Sequence, residues 1–91
     1  MSDVARTVLI INKRGLHARA SAKFVTMASG IGARVEVEKD GSKVVGTSIM
    51  GLMMLGAAMG DEITIRANGD GAEAAVMSLA ELVEAKFHEA E

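Results

Sequence analysis

The chain has 91 residues, no cysteine, no proline and a formal net charge of −2. This length indicates a single domain over residues 1–91. The nearly balanced charge argues against bulk binding of nucleic acid, and two aromatic residues provide no stacking platform for single strands. Because no cysteine or metal-ligand cluster is apparent in the sequence, an aliphatic core must stabilise the fold without disulfides or zinc.

The sequence also predicts where the protein works. Apolar runs such as residues 8–11 are far too short to span a bilayer, and the first eleven residues show no signal peptide. The absence of cysteine is compatible with a reducing compartment. We therefore expect a cytoplasmic protein without membrane insertion.

The first predicted strand lies within residues 4–12, where the apolar run 8–11 stands between polar residues. An unbroken apolar run is typical of a strand buried on both faces, so we expect a central strand. Gly15 then interrupts the segment. From residue 18 to about residue 29, apolar residues recur at the spacing of a helix, which two following glycines end: Ala20, Phe24, Met27 and Ala28.

A hairpin follows this first helix. Residues 34–38 alternate strictly between charged residues and valines, which is typical of a strand with one buried face. Asp40 and Gly41 form a strong hairpin-turn signal, and residues 43–45 provide the returning strand.

Two further helices and one strand complete the predicted order. Thr47 and Ser48 offer an N-cap for the second helix, and residues 62–66 alternate as a fourth strand. Asp70 and Glu73 have the spacing of a capping box that opens the last helix. The apolar stripe of that helix is predicted to be Ala72, Val76, Leu79, Val83 and Phe87.

The resulting order, βαββαβα, predicts an α+β fold. Mostly alternating strands and helices with one apolar face fit a two-layer open-faced sandwich, with a four-stranded antiparallel sheet and three helices on one face. Such a fold does not by itself specify a function.

Residues 12–23 contain the features that suggest chemistry. Gly15 allows a sharp turn or a close approach to a ligand, and His17 falls where the first helix begins. Arg19 lies in the first turn. An anion beside His17 would meet the backbone N–H groups of Ala18 and Arg19, the positive end of the helix dipole and a guanidinium. The alternative is an ordinary exposed histidine beside a solvated arginine.

The run 15–19, Gly-Leu-His-Ala-Arg, resembles the active-site signature of HPr, the histidine-containing phosphocarrier of the phosphoenolpyruvate-dependent phosphotransferase system. The run 48–56 is similar to the second signature of that family. The resemblance implies that His17 is phosphorylated on Nδ1 and that Arg19 contacts the phosphate. It also implies enzyme I as donor, an enzyme IIA-type domain as acceptor, an HPr-like fold and no cofactor.

One position departs from the family pattern. The family usually has proline directly after the arginine, where this chain has Ala20. Alanine is a good helix former, so we expect little loss of chemistry. The sugar-transport branch and the nitrogen-related, NPr-like branch both stay open.

The second run belongs to an apolar segment, residues 47–60, which has no charged residue and holds four of the seven methionines. Leu52 and Leu55 are predicted to face the core, which leaves Ile49, Met50 and Met53 on a second apolar face. One interpretation is that the methionines fill an irregular core. The other, which the resemblance favours, is an exposed patch that docks partner proteins.

Ser48 also has two interpretations. Its hydroxyl caps the second helix, or it is the serine that an HPr kinase phosphorylates in some members of the family the chain resembles. His88, the second histidine, is assigned no role.

These residues are compatible with three function classes to different degrees. A phosphoryl carrier, expected to be monomeric and not itself an enzyme, fits the intact histidine motif best. The alternative is a regulatory binding protein whose phosphorylation state controls partners in nitrogen or carbon metabolism. A free-standing enzyme is disfavoured because no general base accompanies His17 in the sequence.

Overall fold

The computed structural model of the protein describes residues 3–90. These residues form the predicted order of strands and helices, followed by a short turn over Lys86–His88. The elements are β1 (Asp3–Leu9), α1 (Ala18–Ser29), β2 (Arg34–Lys39), β3 (Ser42–Val45), α2 (Ile49–Met54), β4 (Glu62–Asn68) and α3 (Ala72–Glu84). No helix within residues 3–90 is long and apolar enough to cross a membrane.

The four strands of the described chain form one antiparallel sheet in the order β1-β4-β2-β3. Val35 and Val37 on β2 are buried, while the charged residues between and beside them are more exposed. β4 alternates in the same way, with Ile63 and Ile65 buried. One face of the sheet is therefore covered by helices and the other faces solvent, which confirms the open-faced α+β sandwich.

The hairpin between β2 and β3 forms where the sequence predicted it. Lys39 and Ser42 are paired across the turn, and the two residues between them have positive φ angles, 50° at Asp40 and 85° at Gly41. Both central residues of a type I′ turn need this conformation, and it matches the right-handed twist of the flanking strands.

The prediction that β1 is a central strand is wrong. β1 pairs with β4 and lies at an edge of the sheet formed by the described residues. Its apolar run alternates in burial, because Val8 faces the core whereas the Leu9 side chain is 48% exposed on the open face. A continuous apolar run therefore does not require cover on both faces here.

The last helix differs from prediction at both ends. The N-cap is Gly71, with a φ angle of 79° that favours glycine, and no side chain caps the helix. Asp70 thus lies one residue too early to form the predicted capping box with Glu73. At the other end α3 stops at Glu84, so Phe87 is not part of the helical stripe.

Phe87 reaches the core from the turn that follows α3. Lys86, Phe87 and His88 have left-handed φ angles of 57°, 55° and 58°. Non-glycine residues rarely adopt this conformation, so the surrounding structure must hold them there. The phenyl ring of Phe87 is fully buried, as is that of Phe24 on α1. The turn therefore brings the segment after α3 back against α1.

Candidate active site

His17 is the N-cap residue of α1. Its backbone is extended, and its carbonyl accepts the first helical hydrogen bond from the N–H of Ser21 at 2.9 Å. Its side chain also caps the helix, because Nδ1 accepts a hydrogen bond from the backbone N–H of Arg19 at 3.3 Å. Serine, threonine, aspartate or asparagine usually plays this part, and here an imidazole nitrogen does.

The second ring nitrogen of His17 has a different partner. Nε2 forms a hydrogen bond with Oε2 of Glu89, a residue 72 positions further along the chain. Because Nδ1 accepts from an N–H, it must carry a lone pair in the neutral ring, so Nε2 carries the proton and donates a hydrogen bond to the carboxylate. The nitrogen that the family resemblance implicates in phosphorylation is thus the unprotonated one.

Gly15 sets the loop that presents His17. Its φ angle is 61°, and a Cβ placed on it would meet the backbone oxygen of Ala57 at 2.4 Å. The next residue, Leu16, donates its backbone N–H to the same oxygen at 2.9 Å. Only a residue without a Cβ allows this approach, so the loop before α1 is seated directly on the segment that follows α2.

Asn12 links this loop to Glu89. Its side chain is fully buried, and Nδ2 donates hydrogen bonds to the carbonyl of Gly15 at 2.9 Å and to Oε1 of Glu89 at 3.0 Å. Both amide hydrogens are used in this way. The Oδ1 atom of Asn12 has no hydrogen-bond partner among the described residues.

Glu89 is held in the site through its backbone, by the preceding turn, and through its carboxylate, by hydrogen bonds from Asn12 and His17. Lys23 of α1 donates from Nζ to the carbonyl of Phe87 at 2.7 Å, which fixes the preceding turn, and the Glu89 side chain is only 12% exposed. Burial alone would raise the pKa of the Glu89 carboxyl. Hydrogen bonds from His17 and Asn12 and the nearby charges outweigh this effect, so the pKa of Glu89 is below its ordinary value.

The site opens into a cleft of about 310 Å³ with a positively charged rim. Arg19 is exposed at this rim, and no carboxylate within residues 3–90 forms an ion pair with its guanidinium. A helix N-terminus and nearby cations together suit an oxyanion. The cleft is lined by Lys13, Arg14, His17, Arg19, Lys23, His88, Glu89 and Ala90.

Helix α2 presents a different kind of surface. Ser48 is its N-cap, with Oγ accepting a hydrogen bond from the N–H of Gly51 at 3.0 Å. Leu52 is fully buried and Leu55 nearly so, as predicted. The remaining large side chains of the helix are exposed: Ile49 (42%), Met50 (72%), Met53 (43%) and Met54 (79%).

The sequence therefore identified only part of this site. It pointed to His17, Arg19 and the backbone of Ala18 and Arg19, which all lie at the start of α1. It missed Asn12 and Glu89: the sequence indicated no general base beside His17, whereas the structure has the Glu89 carboxylate hydrogen-bonded to the His17 ring. No local motif could have indicated Glu89, because its contact depends on the turn after α3.

Within residues 3–90, no group of three or more histidine, cysteine, aspartate or glutamate side chains is placed to hold a metal ion. The polar groups at the site are an imidazole, a carboxylate and a cationic rim.

Comparison with known proteins decides the family. The family model described as "PTS HPr component phosphorylation site" matches residues 4–85. The chain belongs to the HPr family of phosphocarrier proteins.

Similar proteins support this family membership over nearly the whole chain. Phosphocarrier protein NPr from Shewanella violacea is 41% identical, with 99% of each chain covered. Phosphocarrier protein HPr from Neisseria meningitidis serogroup A is 46% identical over 94% of this chain and 97% of that protein. The crystal structure of HPr-C-His from Thermoanaerobacter tengcongensis has a TM-score of 0.89 and 45% identity, with both chains fully covered. Relatives from both branches, HPr and NPr, are thus comparably similar.

Proposed function

We propose that this HPr-family protein carries a phosphoryl group on Nδ1 of His17, receiving it from enzyme I and passing it to an enzyme IIA-type acceptor. The observation that carries the proposal is the bonding of the ring, with Nδ1 accepting a hydrogen bond at the helix N-terminus and Nε2 bonded to Glu89. A nitrogen needs a lone pair to attack phosphorus, and the lone pair of Nδ1 becomes available when the 3.3 Å hydrogen bond from the Arg19 N–H is released.

The surroundings of Nδ1 suit a phosphorylated product. A phosphoryl group there would lie beside the N–H groups of Ala18 and Arg19 at the positive end of α1. The exposed Arg19 guanidinium offers charge-assisted hydrogen bonds to its oxygens. The open cleft leaves room for a second protein to reach the group. Because the phosphate is exchanged with other proteins, the chain acts as a stoichiometric carrier and not as an enzyme.

Helix α2 is the proposed docking surface for these partners. Ile49, Met50 and Met53 are exposed on a helix that packs against α1, the helix that begins at His17. Methionine side chains adapt to differently shaped surfaces, which suits a protein that must bind both a donor and an acceptor. An apolar surface on the helix packed against α1, together with the cationic cleft at the start of α1, would fit partners with an apolar patch and an acidic rim.

Regulation through Ser48 is a second proposed function, with an HPr kinase as the partner. Ser48 is half-buried at the N-terminus of α2, directly next to the exposed Ile49 and Met50. A phosphate adds about −1.5 to −2 charges and is stabilised at a helix N-terminus. It would place a hydrated anion within the docking surface and weaken docking without unfolding α2. Its phosphorylation state would then control partner proteins.

Incubation with enzyme I, Mg²⁺ and phosphoenolpyruvate tests the carrier proposal. We expect one acid-labile phosphate per molecule, lost in His17→Ala. The matched control is His88→Ala, which removes the other histidine of the same cleft and should be labelled like wild type. Labelling of His17→Ala at the wild-type level would contradict the proposal.

A further inference from the structure

We infer that Glu89 is a positioning residue for phosphoryl transfer at His17. Its carboxylate, held by Asn12, keeps the proton on Nε2 and thereby keeps Nδ1 available as the attacking nitrogen. The inference rests on the proposed function and adds a residue that lies outside both HPr-like motifs and outside residues 4–85, which the family model matches.

The geometry is a continuous chain of hydrogen bonds. The carbonyl of Gly15 accepts from Nδ2 of Asn12, the same nitrogen donates to Oε1 of Glu89, and Oε2 accepts from Nε2 of His17. On the far side of the ring, Nδ1 accepts from Arg19. One ring nitrogen thus faces an N–H donor and the other faces a carboxylate acceptor. This pairing selects one tautomer and one ring orientation.

The carboxylate also has an electrostatic effect during transfer. The lone pair of Nδ1 forms the N–P bond while the bond from phosphorus to the donor's leaving atom breaks, and that atom keeps the electron pair. The imidazole gains positive charge as the N–P bond forms. An ionised carboxylate on Nε2 stabilises that charge, either by accepting a stronger hydrogen bond or by taking the proton.

The position of Glu89 is specified by the fold. The buried ring of Phe87 anchors the left-handed turn, and Lys23 holds the Phe87 carbonyl from α1. The backbone N–H of Glu89 closes the turn on the carbonyl of Lys86 at 3.0 Å. The lowered pKa of Glu89 keeps its carboxylate ionised at neutral pH, as the proposed role requires.

Nitrogen-15 NMR of the full chain tests the hydrogen bond directly. In the wild type we expect Nε2 of His17 to show the shift of a protonated nitrogen, with a resolved proton signal protected from exchange. Glu89→Ala should lose the resolved proton signal. The matched control Glu84→Gln removes a glutamate charge that instead pairs with Arg6, and it should leave the signal unchanged. An exchange-protected Nε2 proton in Glu89→Ala would overturn the inference.

Phosphoramidate, a small inorganic donor, tests reactivity without any docking partner. Glu89→Ala and Glu89→Gln should both be phosphorylated on His17 about tenfold more slowly than wild type, a change that corresponds to about 1.4 kcal/mol. With enzyme I as donor, the maximal rate should fall by a similar factor while the half-saturating concentration stays the same. A role in docking would instead change that concentration.

The outcomes separate the two proposals. If wild-type His17 is labelled and the Glu89 variants match or exceed its rate, this inference is overturned and the carrier proposal stands. If wild-type His17 is labelled by neither phosphoramidate nor enzyme I, the carrier proposal fails and this inference fails with it.

Discussion

The two regions that carry the HPr-like motifs are built in opposite ways. The His17 region is polar and converges from distant parts of the chain, since Asn12, His17 and Glu89 are joined by hydrogen bonds. The α2 region is local and apolar, and most of its large side chains contact solvent. A reactive group requires partners fixed to within tenths of an ångström, whereas an adaptable docking surface does not.

The two regions should therefore respond differently to substitution. Changes around His17 should affect reactivity and the packing of the loop, because the His17 ring, the Asn12 amide nitrogen and the Glu89 carboxylate are joined by hydrogen bonds. Changes on the exposed side of α2 should affect association and leave the fold intact.

Gly15→Ala should disrupt the point where the two regions meet. The new Cβ would lie 2.4 Å from the Ala57 oxygen in a backbone with a φ angle of 61°. We expect a loss of about 2–5 kcal/mol in unfolding free energy and slow phosphorylation of His17. Gly56→Ala is the matched control, because its φ angle is 66° but nothing lies within 4 Å. It should lose about 1–2 kcal/mol. Equal losses in denaturant melts would show that the close approach is unimportant.

Arg19→Ala should slow transfer while leaving the fold unchanged. The substitution removes a charge-assisted donor, and such hydrogen bonds contribute about 1.5–3 kcal/mol. We therefore expect rates to fall roughly tenfold to a hundredfold in both directions of transfer. Arg34→Ala, on the strand β2 of the open sheet, is the control. Unchanged kinetics in Arg19→Ala would remove this side chain from the site.

Met53→Glu should separate docking from packing. Because the side chain is 43% exposed, the charge stays in contact with water and thermal stability should barely change. Binding to enzyme I, measured by calorimetry, should weaken about tenfold or more. Leu52→Glu, one residue earlier but fully buried, should unfold the protein, because it buries an unpaired charge. If Met53→Glu unfolds as well, α2 is core and the division between the regions fails.

Ser48→Ala should have the smallest effect. It removes the hydrogen bond from Gly51 to Oγ, and loss of an N-cap typically lowers stability by about 1 kcal/mol. Ser48→Asp keeps the cap and adds a negative charge, so it should stay folded but bind enzyme I more weakly. A Ser48→Asp protein with full affinity for enzyme I would mean that Ser48 is only a cap.

The sequence predicted the features that depend on neighbouring residues in the chain, and it failed for those that depend on long-range contacts. Periodicity located most strands and the helices α1 and α3, Thr47 and Ser48 located α2, and Asp40 and Gly41 located the hairpin, because these signals depend on neighbours in the chain. The edge position of β1 was not predictable in this way, since strand order depends on long-range pairing. The capping-box prediction at Asp70 failed because Gly71 takes a left-handed conformation that moves the cap by one residue.

The same limit applies to the site. His17 and Arg19 share one helix turn, so their proximity was visible in the sequence. Glu89 reaches His17 only because α3 stops at Glu84 and a left-handed turn reverses the chain. The apolar periodicity predicted a helix that continues through Phe87. It therefore did not predict that the following residues return to His17.

The most direct test of the central claim is to determine which nitrogen becomes phosphorylated. Nitrogen-15 and phosphorus-31 NMR of the protein phosphorylated by enzyme I would show the nitrogen that is coupled to phosphorus. We expect a single phosphate on Nδ1 of His17, with the proton retained on Nε2, which faces Glu89. A phosphate on Nε2, or on any residue other than His17, would contradict it.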